Sequence, residues 1–114
     1  MESNIGDPEL INRLNTLSEQ LSNGLRLMGK FGREYAKAER EYKKELAKNT
    51  AILRSKDMPV TLIQLQIYGI DNVADKRYER DMAKVLYNTS QENINVLKLQ
   101  MRLMENQIDR EYRG

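Results

Sequence analysis

The sequence contains no cysteine, no histidine and no tryptophan, with one phenylalanine and two prolines. Without Cys or His, an ordinary zinc site, a haem ligand, a disulfide and a thiol nucleophile are all excluded. Serine–histidine catalysis and imidazole acid–base chemistry fall with them. Hydrophobic residues make up 39 % of the 114 and charged residues 32 %. That is too apolar for a disordered tail and lean for a thick globular core. The length supports one domain at most. The longest mainly apolar stretch, Val60 to Ile70, is far short of the ~20 residues that span a bilayer. Met1-Glu2-Ser3-Asn4-Ile5-Gly6-Asp7 is acidic and lacks an apolar core, so no signal peptide is expected. The expected location is cytoplasmic, with no membrane association.

What is present is periodicity. Asp7-Pro8-Glu9 reads as a helix start, with Asp as N-cap, Pro at the first helical position and an acid in the first turn. Apolar residues then recur at steps of four and three: Leu10, Leu14, Leu17, Leu21, Met28, Phe31, Tyr35, Ala38 and Tyr42, with Gly24 in the one intervening place. Such a heptad seam predicts a coiled-coil-like helix. It weakens at Glu45 and Asn49, returns at Ile52, and stops before Ser55-Lys56-Asp57-Met58-Pro59. A helix over 8–54 is roughly 65–70 Å long. Gly24, Gly29 and Gly32 form a soft spot, each less favourable than Ala by about 1 kcal/mol in a helix. They mark either a kink at 24–32 or a thin place where another helix approaches closely.

Thr61-Leu62-Ile63-Gln64 has capping-box spacing and Gly69 suits a helix stop, which predicts a short helix over 62–68 within a connector over 55–70. A strand over Val60–Ile63 is the competing reading. Asp71 is placed as the cap of a second long helix, 71–112, with Arg110 and Arg113 complementing its dipole. That helix carries two apolar stripes. One is Met82, Leu86, Asn93, Leu97, Met101, Met104 and Ile108; beside it run Tyr78, Val85, Thr89, Val96, Leu99 and Leu103. A lone hairpin buries one stripe per helix. The surplus predicts a homo-oligomer, most simply a dimer forming a four-helix bundle. Its candidate interface is Val85, Val96, Leu97, Leu99, Met101, Leu103, Met104 and Ile108. The competing account has the short middle helix covering the second stripe.

Apparent catalytic motifs dissolve on inspection. Gly24-Leu25-Arg26-Leu27-Met28-Gly29-Lys30-Phe31 nearly matches a phosphate-binding loop, but Phe31 replaces the magnesium-binding Ser or Thr and a leucine heptad precedes it. Gly29-Lys30-Phe31-Gly32 has the form of a GXXG clamp without the sheet that clamp needs. Asp71, Asp75 and Glu79 share a helix face at four-residue steps, a spacing that suits magnesium or a shared proton. Lys76, Arg77 and Arg80 interleave with them, so a solvated, salt-bridged face is expected. No cofactor, metal or catalytic residue is expected.

Charge is unevenly placed. Residues 1–25 hold one basic and four acidic residues (−3), residues 26–56 ten and four (+6), and residues 57–114 eight and nine (−1), giving the net +2. Arg26, Lys30, Arg33, Lys37, Arg40, Lys44 and Lys48 lie along one face opposite the Phe31–Tyr35–Tyr42 seam. Such a stripe, about 33 Å long, suits nucleic-acid phosphates or an acidic partner. The alternative is a solvated coiled-coil flank, with Glu34, Glu39, Glu41 and Glu45 as counter-charges.

Tyr35-Ala36-Lys37-Ala38-Glu39 fits the Y-x-x-x-[DE] pattern of small secreted helical hairpins with a Trp-x-Gly turn. This chain has no Trp, and here the pattern lies mid-helix. Three other segments carry a broader resemblance: Gly32-Arg33-Glu34-Tyr35-Ala36-Lys37-Ala38-Glu39, Met58-Pro59-Val60-Thr61-Leu62-Ile63, and Asn95-Val96-Leu97-Lys98-Leu99-Gln100 through Gln107-Ile108-Asp109-Arg110-Glu111-Tyr112. Together they resemble small helical proteins encoded in the early regions of phages and prophages of Gram-positive bacteria, often close to recombination and single-strand-binding genes. The resemblance implies a role in nucleic-acid metabolism or host takeover, in the host cytoplasm, and brings no catalytic or binding residues with it.

The expected fold is all-α: an elongated antiparallel helical hairpin of two long coiled-coil-like helices joined by a short one, oligomerising into a helical bundle. The expected function is non-enzymatic, a phage accessory protein that acts as an oligomeric protein-interaction module on a host or defence factor. Two alternatives are a nucleic-acid-binding accessory using the basic stripe, and an oligomeric nucleotide sponge with Arg or Lys converging between protomers.

Overall fold

The computed structural model describes residues 8–113; the Asp7 cap lies outside them. The chain forms helix α1 (Pro8–Ser55), helix α2 (Val60–Gln66), one 3-10 turn (Ile67–Gly69) and helix α3 (Asp71–Arg113). No strand occurs among the described residues, so Val60–Ile63 is helical. The fold is a helical hairpin of two long helices joined by a short one. Its residues fall into two compact units: one runs through Gly29 and resumes at Asn88, and the other is Lys30–Tyr87.

α1 is a single unbroken helix through 24–32. Its inward face follows the expected steps. Leu10, Leu14, Leu17, Leu21, Gly24 and Met28 are buried or half-buried in the first unit; Phe31, Tyr35, Ala38 and Tyr42 are so in the second. Two of the glycines are thin places. A Cβ on Gly24 would stand 2.8 Å from Ile94 Cδ1, and one on Gly32 would stand 3.1 Å from the Tyr87 ring. The near-match to a phosphate loop and the GXXG tetrapeptide are therefore ordinary helix, with their backbone N–H groups turned into the i−4 ladder.

The weak part of the seam is polar and still inward. Asn49 is buried, and its Nδ2 donates to the Glu45 carbonyl at 2.8 Å and to Glu45 Oε1 at 3.0 Å, so the helix satisfies its own buried amide. The seam then steps to Leu53, not to Ile52, which is exposed. α1 closes with a Schellman turn. Met58 N–H donates to the Leu53 carbonyl and Asp57 N–H to the Arg54 carbonyl, with Asp57 at φ 60°. Met58 and Leu53 pack on the same cluster, and Pro59 prevents the helix from resuming.

α2 begins two residues before the capping-box reading. Pro59 is its N-cap, its carbonyl accepting from Ile63 N–H at 3.0 Å, and no side chain caps the helix. Thr61 is inside the helix, so its hydroxyl is in the wrong place to cap. Ile70 likewise precedes α3 in extended conformation and accepts from Ala74 N–H at 2.8 Å. Asp71 thus stands in the first turn, favourable to the dipole but not the cap. Ile63, Ile67 and Val73 close on Tyr42 to form the core of the second unit, with Leu46, Leu53, Met58 and Ile70 around it. Val73 is fully buried.

α3 turns inward a different set of residues from the first stripe read in the sequence. Val73, Lys76, Arg80, Ala83 and Tyr87 are inward in the second unit; Ser90, Ile94, Leu97, Met101, Met104 and Ile108 are inward in the first. Met82, Leu86 and Asn93 are exposed. The downstream half of that stripe holds, but its upstream half is out of phase. Continued back from Leu97 at steps of three and four, the seam meets Ile94, Ser90, Tyr87, Ala83 and Arg80.

Candidate interaction surfaces

Arg80 explains how a cation occupies a seam position. Its guanidinium lies 4.6 Å from the Tyr42 ring centroid, Nη1 donates to Glu39 Oε1 at 2.7 Å and Nε donates to Asp81 Oδ1 at 2.7 Å. A delocalised cation over a ring and two donors on different nitrogens suit Arg here and would not suit Lys. Lys76 Nζ reaches Glu41 Oε1 at 3.4 Å and Glu79 Oε1 at 3.6 Å. The charge of Glu79 and the hydrogen bond to Glu41 raise the Lys76 amine above its ordinary 10.5. The bonds to Asp81 and Glu39 likewise raise the Arg80 guanidinium. Of the salt-bridged face expected around Asp71, Asp75 and Glu79, only Glu79 is in an ion pair among the described residues, with Lys76, while Lys76 and Arg80 reach across to Glu41 and Glu39 of α1. Among the described residues no group of three or more His, Cys, Asp or Glu side chains is placed to hold a metal ion.

These pairs alter the basic stripe. Arg26, Lys30, Arg33, Lys37, Arg40, Lys44 and Lys48 are all exposed. Two of their expected counter-charges, Glu39 and Glu41, are engaged by α3. Glu45 accepts from Asn49 and lies 4.0 Å from Lys48 Nζ. Among the described residues the other six cations form no ion pair. Five of them, Lys30, Arg33, Lys37, Arg40 and Lys44, follow one another on the second unit over about 21 Å of helix. The aromatics Tyr35 and Tyr42 lie inward, Tyr35 with its ring centroid 6.1 Å from that of Tyr87, so neither is presented for stacking on a base.

The candidate oligomer interface divides in two. Val85, Val96, Leu99 and Leu103 are exposed, as expected. Leu97, Met101, Met104 and Ile108 are not on that face: Leu97 is buried against Gly24, and the other three continue its inward steps. The outer face instead adds Tyr78 and Met82. Its six large apolar residues, Tyr78, Met82, Val85, Val96, Leu99 and Leu103, are each 45–67 % exposed. They follow heptad steps opposite the inward seam, a signal visible once the seam's phase is right. α2 does not cover this face; it packs on the side of Val73.

A further apolar patch was not foreseen. On α2, Leu65 is 81 % exposed and Val60 54 %, and the Tyr68 ring nearby has Arg77 5.1 Å above it. In the first unit an open furrow of about 440 Å³ runs over Leu17, Leu103 and Met104, rimmed by Arg13, Thr16, Gln20, Gln100 and Gln107, so Leu103 borders both this furrow and the outer face. It offers amide donors and acceptors and one cation, and no pairing of acid with base. No helix among the described residues is long and apolar enough to cross a membrane. Comparison with protein-family models, with curated proteins and with solved structures gives no match.

Proposed function

We propose that the chain is a non-enzymatic helical interaction module, an accessory protein of a phage or prophage that acts in the host cytoplasm by binding protein, its own copies included. The observation that carries this reading is the outer face of α3. Six large apolar side chains at heptad spacing stay exposed after the seam with α1 has been filled. An apolar face of that kind, interrupted at Thr89 and Glu92, is what partner helices bury. The absence of Cys and His and the helical identity of the phosphate-loop-like segment and the GXXG tetrapeptide add weight. A pull-down from an infected or expressing host, with the unmodified chain beside Leu99→Asp/Leu103→Asp, tests it. Partners, or further copies, that are retained by the first and lost by the second support the reading; equal capture by both rejects it.

A second reading draws on exposed cations of α1 that form no ion pair among the described residues: a nucleic-acid accessory that tracks phosphates with Lys30, Arg33, Lys37, Arg40 and Lys44. Neutralising five duplex phosphates makes affinity fall roughly 500-fold between 50 and 200 mM salt. Shift assays with single- and double-stranded DNA at those two concentrations decide it, and no binding at the lower one removes it.

A further inference from the structure

We infer that the occupant of the outer face of α3 is the same face of a second copy, running antiparallel in one defined register. The inference rests on the interaction-module reading and names its partner. At steps of four and three the face reads Tyr78, Met82, Val85, Thr89, Glu92, Val96, Leu99, Leu103. This order is self-complementary: three apolar positions, two polar ones, three apolar ones, with the spacing the same in both directions.

In an antiparallel helix pair, core positions of the first kind meet those of the second. Tyr78 then faces the partner's Leu103, Met82 the partner's Leu99 and Val85 the partner's Val96. Symmetry repeats these three, giving six apolar layers. The two central layers set Thr89 against the partner's Glu92, so each carboxylate meets a hydroxyl. Flanking charges agree. Asp81, which already accepts from Arg80, comes beside the partner's Arg102, and Asp71 stands opposite the partner's Arg110.

Competing arrangements lose these features. A slip of one heptad in one direction puts Glu92 against Val96. A slip in the other puts Met82 against Glu92. A parallel, in-register pair sets Glu92 against Glu92, two like charges in one apolar seam. An isologous two-fold contact therefore has one register that buries every large apolar residue of the face. The exposure of all six gives it surface to bury.

The natural absence of cysteine makes the test direct. Val85→Cys and Val96→Cys are prepared separately in the full chain, then oxidised alone and as an equimolar mixture, with sedimentation velocity on the unmodified protein. The expected result is a dimer of the unmodified chain, a disulfide-linked dimer in the mixture, and little cross-linking of either variant alone. Cross-linking of each variant alone establishes the parallel pair and overturns the register. A monomer at about 100 μM overturns self-pairing altogether, while partner capture in the pull-down still stands or falls by itself. Leu99→Asp, an exposed position, is expected to weaken the dimer more than about tenfold with helical circular dichroism unchanged. An unchanged dimer in that variant also overturns the inference.

Discussion

The two units are built from the same two helices and differ in how a side chain gets out of water. In the unit that includes Leu10, Gly24, Ile94 and Leu97, two helices meet along an aliphatic seam, and among its described residues only a few positions are buried. In the unit 30–87, α2 supplies a third side, and Ile63, Ile67 and Val73 close over Tyr42. A helix pair removes one stripe from water; a third element removes the flanks too. With that third side in place, the second unit carries polar residues in its seam, among them Arg80, Asn49 and Glu45. The first unit meets the same demand with Leu and Met, and with Ser90 as its one buried polar side chain among the described residues.

Core truncations give the sharpest contrast. Ile63→Ala is expected to cost about 3–4 kcal/mol, because α2 would leave a cavity against Tyr42 and Val73. Leu97→Ala, in a seam open at its sides and better able to relax, is expected to cost about 2 kcal/mol. Urea unfolding of both variants checks the difference, and equal losses would break the comparison. Leu97→Asp belongs with these stability changes, since its side chain lies in the seam.

The glycines come next. Gly32→Ala presses on the Tyr87 ring, which cannot fold away, and should lose about 1 kcal/mol despite the better helix propensity of Ala. Gly24→Ala meets only the mobile end of Ile94 and should stay within about 0.5 kcal/mol of the unmodified chain. Thermal melts of the two variants side by side decide the ordering. At the turn after α1, Asp57→Gly relieves a positive φ and should stabilise by roughly 0.5 kcal/mol or less, after allowing for the added freedom of the unfolded chain.

The smallest effect is electrostatic. Lys76 has its value raised in the folded chain. Its stabilising contribution is therefore fully present below its ordinary value and is lost as pH rises through the raised one. The melting-temperature gap between the unmodified chain and Lys76→Gln should be present at about pH 8 and shrink as the pH rises above the ordinary lysine value. A gap that widens with pH would contradict the assignment.

Much of this architecture was legible in the residues. Leu10 to Tyr42 marks α1's inward face because each step carries an apolar side chain. The phase of α3 was not, for a physical reason. In its first half the inward positions hold Arg80, Ala83 and Tyr87, while the larger aliphatics Met82, Val85 and Leu86 face outward. Ranking by hydrophobicity selects the wrong side there. Arg80 is held half-buried by a ring on α1 and two carboxylates, and hydropathy registers none of these. Extending the Leu97–Met101–Met104–Ile108 steps backward would have found it. The basic stripe was legible as a face, but the diversion of two of its counter-charges was not, because Glu39 and Glu41 are close to it in sequence and engaged elsewhere in space. Leu65 lies on a helix too short for periodicity to assign a face.

The tight connection through α2 also bears on how the chain acquires its structure. The contacts of Glu41 with Lys76 and of Glu39 with Arg80 close over 35 and 41 residues. The approach of Ile94 to Gly24 closes a stretch about twice as long, which costs about 0.6 kcal/mol more in chain entropy if formed first. Assembly is therefore expected to start around α2 and proceed toward the chain ends, with Ile63→Ala slowing refolding and Leu97→Ala mainly hastening unfolding.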